Sequence, residues 1–236
     1  MIKLSVREMA QYIVSDEHAR IELLRKRKYL SLDSIARVRF YSESRRSITS
    51  YHRGALSRDS LEAKIIAMRD EARHVNPFQR TELLSNADIL ERYLYYQGHR
   101  TLHLAPVPAT DLVSGDVEIA VRPSLFAIED DDTRRLIFLE LREKFSLYAM
   151  RIIAELAYAA FRPVLPNLPA QAIQVIDVRR GIVTELQQAG IAIRRELSEA
   201  CRAISLAWPR LTPPSGAQPA VRDTERQLSI AWDFET

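Results

Sequence analysis

The sequence predicts an α/β fold, with a small central mixed β-sheet flanked by helices and a helical extension at the N-terminus. Three features predict it. Apolar spacing is helical up to about residue 97 and then alternates as in a strand. Residues 136–139 form an unbroken apolar run, as expected of a strand covered on both faces. A long amphipathic stretch over 145–161 separates two hairpin-like segments.

The elements follow in order. Ser5 is placed as the N-cap of a helix over 5–14, in which Val6, Met9, Tyr12 and Ile13 share a face. A second helix covers 16–28, with Ile21, Leu23 and Leu24 apolar. The arginine-rich stretch 34–52 runs to Gly54, which closes a helix. Asp59 or Ser60 caps the next helix, carrying Leu61, Ile65 and Met68, and Pro77 interrupts the pattern. A further helix spans 86–97 through Ile89, Leu90, Tyr93 and Leu94, and Gly98 stops it.

Beyond Gly98 the residues 100–104 alternate as a strand, and the proline-bearing 105–115 reads as a loop. Residues 116–128 alternate again, with Val117, Ile119 and Val121 on one face. An acidic turn at Glu129–Asp132 leads to a strand over 135–142, so the two read as a hairpin. Pro163, Pro166 and Pro169 end the long helix region. Residues 173–185 form a second hairpin turning at Arg180-Gly181, and 187–207 a last helix. Composition divides the chain into a basic helical extension (1–54), an α/β core (55–211), and a linker and tail (212–236). In the tail, Ile230, Trp232 and Phe234 alternate as in a peptide suited to adding a strand to a partner's sheet edge.

Composition excludes several function classes. No apolar run approaches the roughly 18 residues of a membrane span, and the N-terminus is charged from Lys3 onward, without the apolar core of a signal peptide. The single cysteine, Cys201, forms neither an internal disulfide nor a thiolate metal cluster, and its helical setting favours packing over nucleophilic chemistry. A cytoplasmic protein is the expectation. The six glycines are scattered, so no phosphate-cradling loop exists, and His52, His74, His99 and His103 are too dispersed for a metal triad. Tyr93, Tyr95 and Tyr96 flank a helix end, where they pack in the core or, alternatively, stack on bases.

Net charge is only +3, but it is uneven: residues 1–60 carry 13 Lys/Arg against 7 Asp/Glu, and 111–162 carry 7 against 10. Arg25, Lys26, Arg27, Lys28, Arg45, Arg46 and Arg53 are therefore the candidate nucleic-acid contacts, reading phosphates without sequence. The alternative is a solvated helix face, or pairing with the acidic 129–132 turn or an acidic partner protein.

The order of helices, hairpin, long helix, hairpin and final helix resembles the PD-(D/E)XK nuclease superfamily, especially its RecB-type branch, over roughly residues 55–207. The resemblance implies a restriction-nuclease-like core with Pro-Asp in one strand and Glu-x-Lys in the next, the Asp and Glu holding Mg²⁺ and the Lys orienting the attacking water. The matching positions here read Pro123-Ser124 and Glu140-Leu141-Arg142, and the family's glutamine in the following helix has no counterpart. Arginine stays protonated and exchanges protons poorly with water. Glu140, Arg142 and Lys144 project to one face of an extended strand and are the candidate catalytic residues.

The expectation is therefore a non-catalytic, nuclease-like subunit without a cofactor, binding nucleic acid or a partner protein in a DNA-processing or antiviral-defence assembly. One alternative is an active metal-dependent DNase in which Glu140 binds Mg²⁺ with Asp116 or Glu118, and Glu62 matches an extra acidic ligand of some relatives. A third is a pure protein-interaction scaffold. No membrane partner is expected.

Overall fold

A computed structural model describes residues 1–29, 40–142, 145–187 and 191–213. The expected tail and linker, from residue 214 on, lie outside the described residues. The architecture is α/β, with mixed sheets flanked by helices. The helices are α1 (Val6–Val14), α2 (Glu17–Lys28), α3 (Ser42–His52), α4 (Arg58–Glu71), α5 (Pro77–Gln97), α6 (Leu147–Phe161) and α7 (Ile191–Ala207). The strands are β1 (Ile2–Ser5), β2 (Leu102–Ala105), β3 (Thr110–Ser114), β4 (Val117–Val121), β5 (Leu125–Glu129), β6 (Arg134–Glu140), β7 (Ile173–Asp177) and β8 (Ile182–Glu185).

They form two sheets, a five-stranded one ordered β2-β5-β6-β7-β8 and a three-stranded one ordered β1-β4-β3. Within the larger sheet only β6 and β7 run parallel, joined across α6. A parallel pair needs such a crossover, because a tight turn cannot return the chain to the same end.

β6 is the middle strand and is buried on both faces, as its apolar run predicts. Leu136 and Phe138 enter one core with Ile173 and Val175, α1, α6, α7 and the three-stranded sheet. Ile137 and Leu139 enter a second core with α3, α4 and α5. Residues of β1, α1 and α2, including Leu4, Met9 and Leu24, belong to the first core.

Local chemistry explains most helix ends. Ser5 caps α1 with a full capping box: its Oγ accepts from the Glu8 N–H, and Glu8 accepts from the Ser5 N–H at 2.7 Å. The structure also corrects several expectations. The span 116–128 is not one strand: it breaks at Arg122-Pro123-Ser124, sending β4 to the small sheet and β5 to the large one. Proline has no N–H to give a ladder, and alternation continues across such a break without revealing it. Part of the expected 105–115 loop is β3, which folds back on β4 through Gly115 at φ +59°. The pattern breaks before Pro77 as expected, but the helix expected over 86–97 begins at Pro77 itself, which opens α5 at its first turn, with the Asn76 side chain accepting from the Gln79 N–H. β1, four residues long, is too short for its alternation to stand out.

Gly181, at φ +66°, turns β7 into β8 directly against the Tyr96 ring, where a Cβ would meet ring atoms at 2.5 Å. That contact ties the hairpin to the end of α5. On the same side of the sheet, the His52 ring on α3 and the buried Tyr93 hydroxyl on α5 share a 2.6 Å hydrogen bond. No helix among the described residues is long and apolar enough to cross a membrane.

Two tests follow from this packing. Phe138→Asp places an unpaired charge at a side chain 1% exposed, at a cost of several kcal/mol, and should leave no cooperative thermal transition by circular dichroism; a normal melt would show the strand to be an edge. The second concerns pH. Burial, with help from the Arg100 charge, lowers the His52 pKa from 6.5 to about 4. The unfolded chain then binds the proton first, so stability falls as pH drops from about 6.5 to about 4 and levels off below. Urea unfolding across that window should show the loss, and His52→Gln should flatten it.

Candidate functional site

The site lies at the carboxyl ends of β6 and β7. Parallel pairing sets Leu136 opposite Ile173, Phe138 opposite Val175 and, at the last step, Glu140 opposite Asp177. The ladder continues one bond further, the Val178 N–H donating to the Glu140 carbonyl at 3.0 Å. Two carboxylates thus end neighbouring strands, roughly 4.8 Å apart at the backbone. Both are buried: Glu140 is 3% exposed and Asp177 1%. Unpaired carboxylates at this depth would carry a large desolvation cost and repel one another.

Each is compensated by a different arginine. Asp177 Oδ1 accepts the Arg180 backbone N–H at 3.0 Å, and its Oδ2 accepts from Arg180 Nε. The same guanidinium donates onward to the Phe145 carbonyl. Glu140 Oε1 accepts the Arg142 backbone N–H at 3.1 Å. Its Oε2 lies 3.3 Å from Arg7 Nε, an ion-pair distance at which the N–H is not aligned for a hydrogen bond, so this oxygen is buried with charge compensation but no donor.

Arg7 reaches the site from the first turn of α1. Its Nη2 donates to the Leu139 carbonyl at 2.5 Å and lies 3.5 Å from Ser124 Oγ. Ser124 is itself engaged, its Oγ accepting the Leu139 N–H at 3.0 Å and its own N–H donating to the Ile137 carbonyl at 2.7 Å. Positions 124 and 140, which the nuclease resemblance makes metal ligands, therefore converge on one guanidinium. It is a fixed organic cation held by a carboxylate, a carbonyl and a hydroxyl.

The other expected residues are distributed as follows. Arg142 is exposed, with no partner for its side chain among the described residues, and Lys144 lies outside the described residues. Asp116 and Glu118 belong to the three-stranded sheet, not to that of Glu140. Asp116 sits in the β3–β4 turn, and Glu118 ion-pairs with Lys3 at 3.4 Å. Glu62 is exposed on α4 and pairs with Arg58 at 3.0 Å. Among the described residues, no three His, Cys, Asp or Glu are grouped to hold a metal.

The basic candidates fall into two groups. Arg25, Lys26, Arg27 and Lys28 end α2, which packs in the first core through Leu24; Arg45, Arg46 and Arg53 lie along α3, which packs in the second through Ile48. Arg25 pairs with Glu22 at 2.7 Å and Arg46 with Glu43 at 3.0 Å, while Arg53 is exposed at the end of α3. Cys201 is buried, and burial raises its thiol pKa.

Sequence reasoning missed Arg7 and Asp177. Asp177 carries a visible signal: an acid closing the mostly apolar strand Ile173–Ile176, with two arginines, Arg179 and Arg180, following after Val178. Arg7 carries none, since a charged residue in a first helical turn reads as solvated.

If Arg7 compensates Glu140, Arg7→Met should cost about 3 kcal/mol, the low end for breaking a buried pair, because the guanidinium is partly exposed. That is a fall in melting temperature of roughly 6–12 °C for a chain of this size. Adding Glu140→Gln should restore most of it; simple additivity of the two losses would show that the pair does not interact. No protein-family model matches this chain, and no curated protein matches it in sequence.

Proposed function

We propose that this protein is a non-catalytic, nuclease-like subunit, working in the cytoplasm, that binds nucleic acid or a partner protein within a DNA-processing or antiviral-defence assembly. One observation carries the reading: the guanidinium of Arg7 is bound by the Glu140 carboxylate, the Leu139 carbonyl and the Ser124 hydroxyl. A divalent ion would need those oxygens, and a resident cation repels it. Electrostatic stabilisation of a scissile phosphate by a metal is the largest effect such a site would supply, and Arg142 is a poor substitute for a lysine that manages the attacking water.

The parallel β6–α6–β7 unit supports the nuclease-like part of the reading, since it follows the hairpin–helix–hairpin order of the resemblance. The neighbouring Asp177 gives the enzyme alternative a specific foothold, as a second buried carboxylate beside Glu140 that neither Asp116 nor Glu118 provides.

The assay uses purified full-length chain with Mg²⁺ or Mn²⁺ and single- and double-stranded DNA and RNA. No cleavage above a no-protein control is expected. Cleavage that disappears in Glu140→Ala and in Asp177→Asn would overturn the proposal and establish a metal-dependent nuclease.

A further inference from the structure

A sheet edge presents unpaired N–H and C=O groups to any strand that reaches it, so folded proteins guard their edges. Among the described residues the two sheets have four edge strands, and three are guarded. The open side of β1 is met by α2, whose Arg27 Nε donates to the Lys3 carbonyl at 2.8 Å. β2 runs straight into Pro106 and Pro108, which have no N–H to give, and carries the exposed His103–Asp130 pair at 3.4 Å. β3 presents Asp111, 2.8 Å from Arg122 Nη1, on its solvent face.

β8 has no such guard. Among the described residues it pairs only with β7, and it contains no proline. Its one charge, Glu185, is turned back toward the sheet, accepting from Gln174 Nε2 at 2.7 Å and lying 3.7 Å from Arg135. Ile182 packs on the first core, and Thr184 Oγ1 lies 3.9 Å from Met150 Sδ. Val183 stands on the other face, in register with the buried Ile176, yet is itself 40% exposed. That face continues into the end of α5. The Tyr96 ring closes on Gly181, and Tyr95, 78% exposed, meets Tyr96 edge to face at 4.9 Å. An open strand edge thus runs beside exposed aliphatic and aromatic surface, whose burial is favourable.

We infer that residues 228–234 of this same chain add to β8 as a further strand, with Ile230 and Trp232 against Val183, Tyr95 and Tyr96. The sequence of that segment selects it. Leu228, Ile230, Trp232 and Phe234 alternate with Ser229, Ala231 and Asp233, the pattern of a strand with one face to bury. The same alternation disfavours β3, where turning the apolar set to the core would put Asp233 on the side of Asp111, and like charges across strands repel. Length permits the docking. The described residues end at 213, and the intervening 214–227 reach roughly 50 Å at full extension, against a radius of gyration of about 17 Å for a domain of this size. A tether that short also holds the segment at an effective concentration in the millimolar range, which favours its own edge over that of a second copy or a free partner. The inference is independent of the nuclease-like reading.

The test uses the full chain carrying Trp208→Phe, which leaves Trp232 as its one tryptophan. Its fluorescence emission and acrylamide quenching are read over a range of protein concentrations, with and without Val183→Lys. Thermal melts should first show that the variants fold. Tyr95→Ser, at a more exposed side chain, gives the same reading should Val183→Lys fail to melt cooperatively. Trp232 should emit to the blue of a free peptide of residues 226–236 and resist quenching, independently of protein concentration. Val183→Lys should shift both readings back to those of the peptide, because lysine blocks a strand edge. Readings in the Trp208→Phe chain equal to those of the free peptide would overturn the inference. Shielding that Val183→Lys leaves unchanged would overturn it by placing the segment elsewhere. Shielding that appears only as the protein dimerises on a sizing column would overturn it in favour of a second copy.

Discussion

The parallel register of β6 on β7 is the constraint on which the rest of this structure depends. A strand buried on both faces must be apolar at every position, and Leu136 to Leu139 meet that demand. Because the neighbour is parallel, the chain has to cross over through a helix, and α6 lies against the first core as a consequence. The second face then needs its own cover, which α3, α4 and α5 provide. At the carboxyl ends of the two strands the backbone leaves the sheet by loops, and there the register sets Glu140 against Asp177. Crevices outside the carboxyl ends of parallel strands are where α/β sheets commonly carry their chemistry.

Two buried carboxylates side by side have to be neutralised, and the molecule does so with cations drawn from opposite ends of the sequence. Arg180 comes from the turn immediately after β7, so its partnership with Asp177 is local. Arg7 comes from the N-terminal helix, 132 positions before the Leu139 carbonyl it binds. Its position is secured by the capping box of α1 and by the parallel pairing of β1 with β4. The N-terminal segment therefore does two jobs, filling the first core through Leu4, Met9 and Tyr12 and delivering charge to the site. A buried ion pair gains little net stability over apolar packing, yet loses much when one member is removed. Arg7 and Glu140 are accordingly coupled: neither is readily changed alone.

The same contrast between compensated and uncompensated charge organises the surface. Exposed ion pairs contribute little to stability, typically under about 1 kcal/mol, but they cancel the field that a polyanion would feel. Cations tethered only to carbonyls keep that field. Among the described residues, Arg46 on α3 pairs with Glu43 whereas Lys28 at the end of α2 bonds only carbonyls, a difference that sequence composition does not show.

The sequence by itself determined the α/β class, the buried β6 strand, the long α6 helix, the β7–β8 hairpin and the cap at Ser5. Each of these is encoded within a few residues, as a periodicity, an apolar run or a side chain bonding its own backbone. It also marked Glu140 through a local motif. Only the tertiary structure decided what surrounds that residue. The division of 116–128 between two sheets turns on a proline whose missing N–H matters only once partners are chosen. The approach of Arg7 to Ser124, Leu139 and Glu140, and of Lys28 to Trp208 and Leu211, spans 117 to 183 positions. No local pattern encodes such contacts, because a charged side chain looks solvated in sequence until the fold buries its partner.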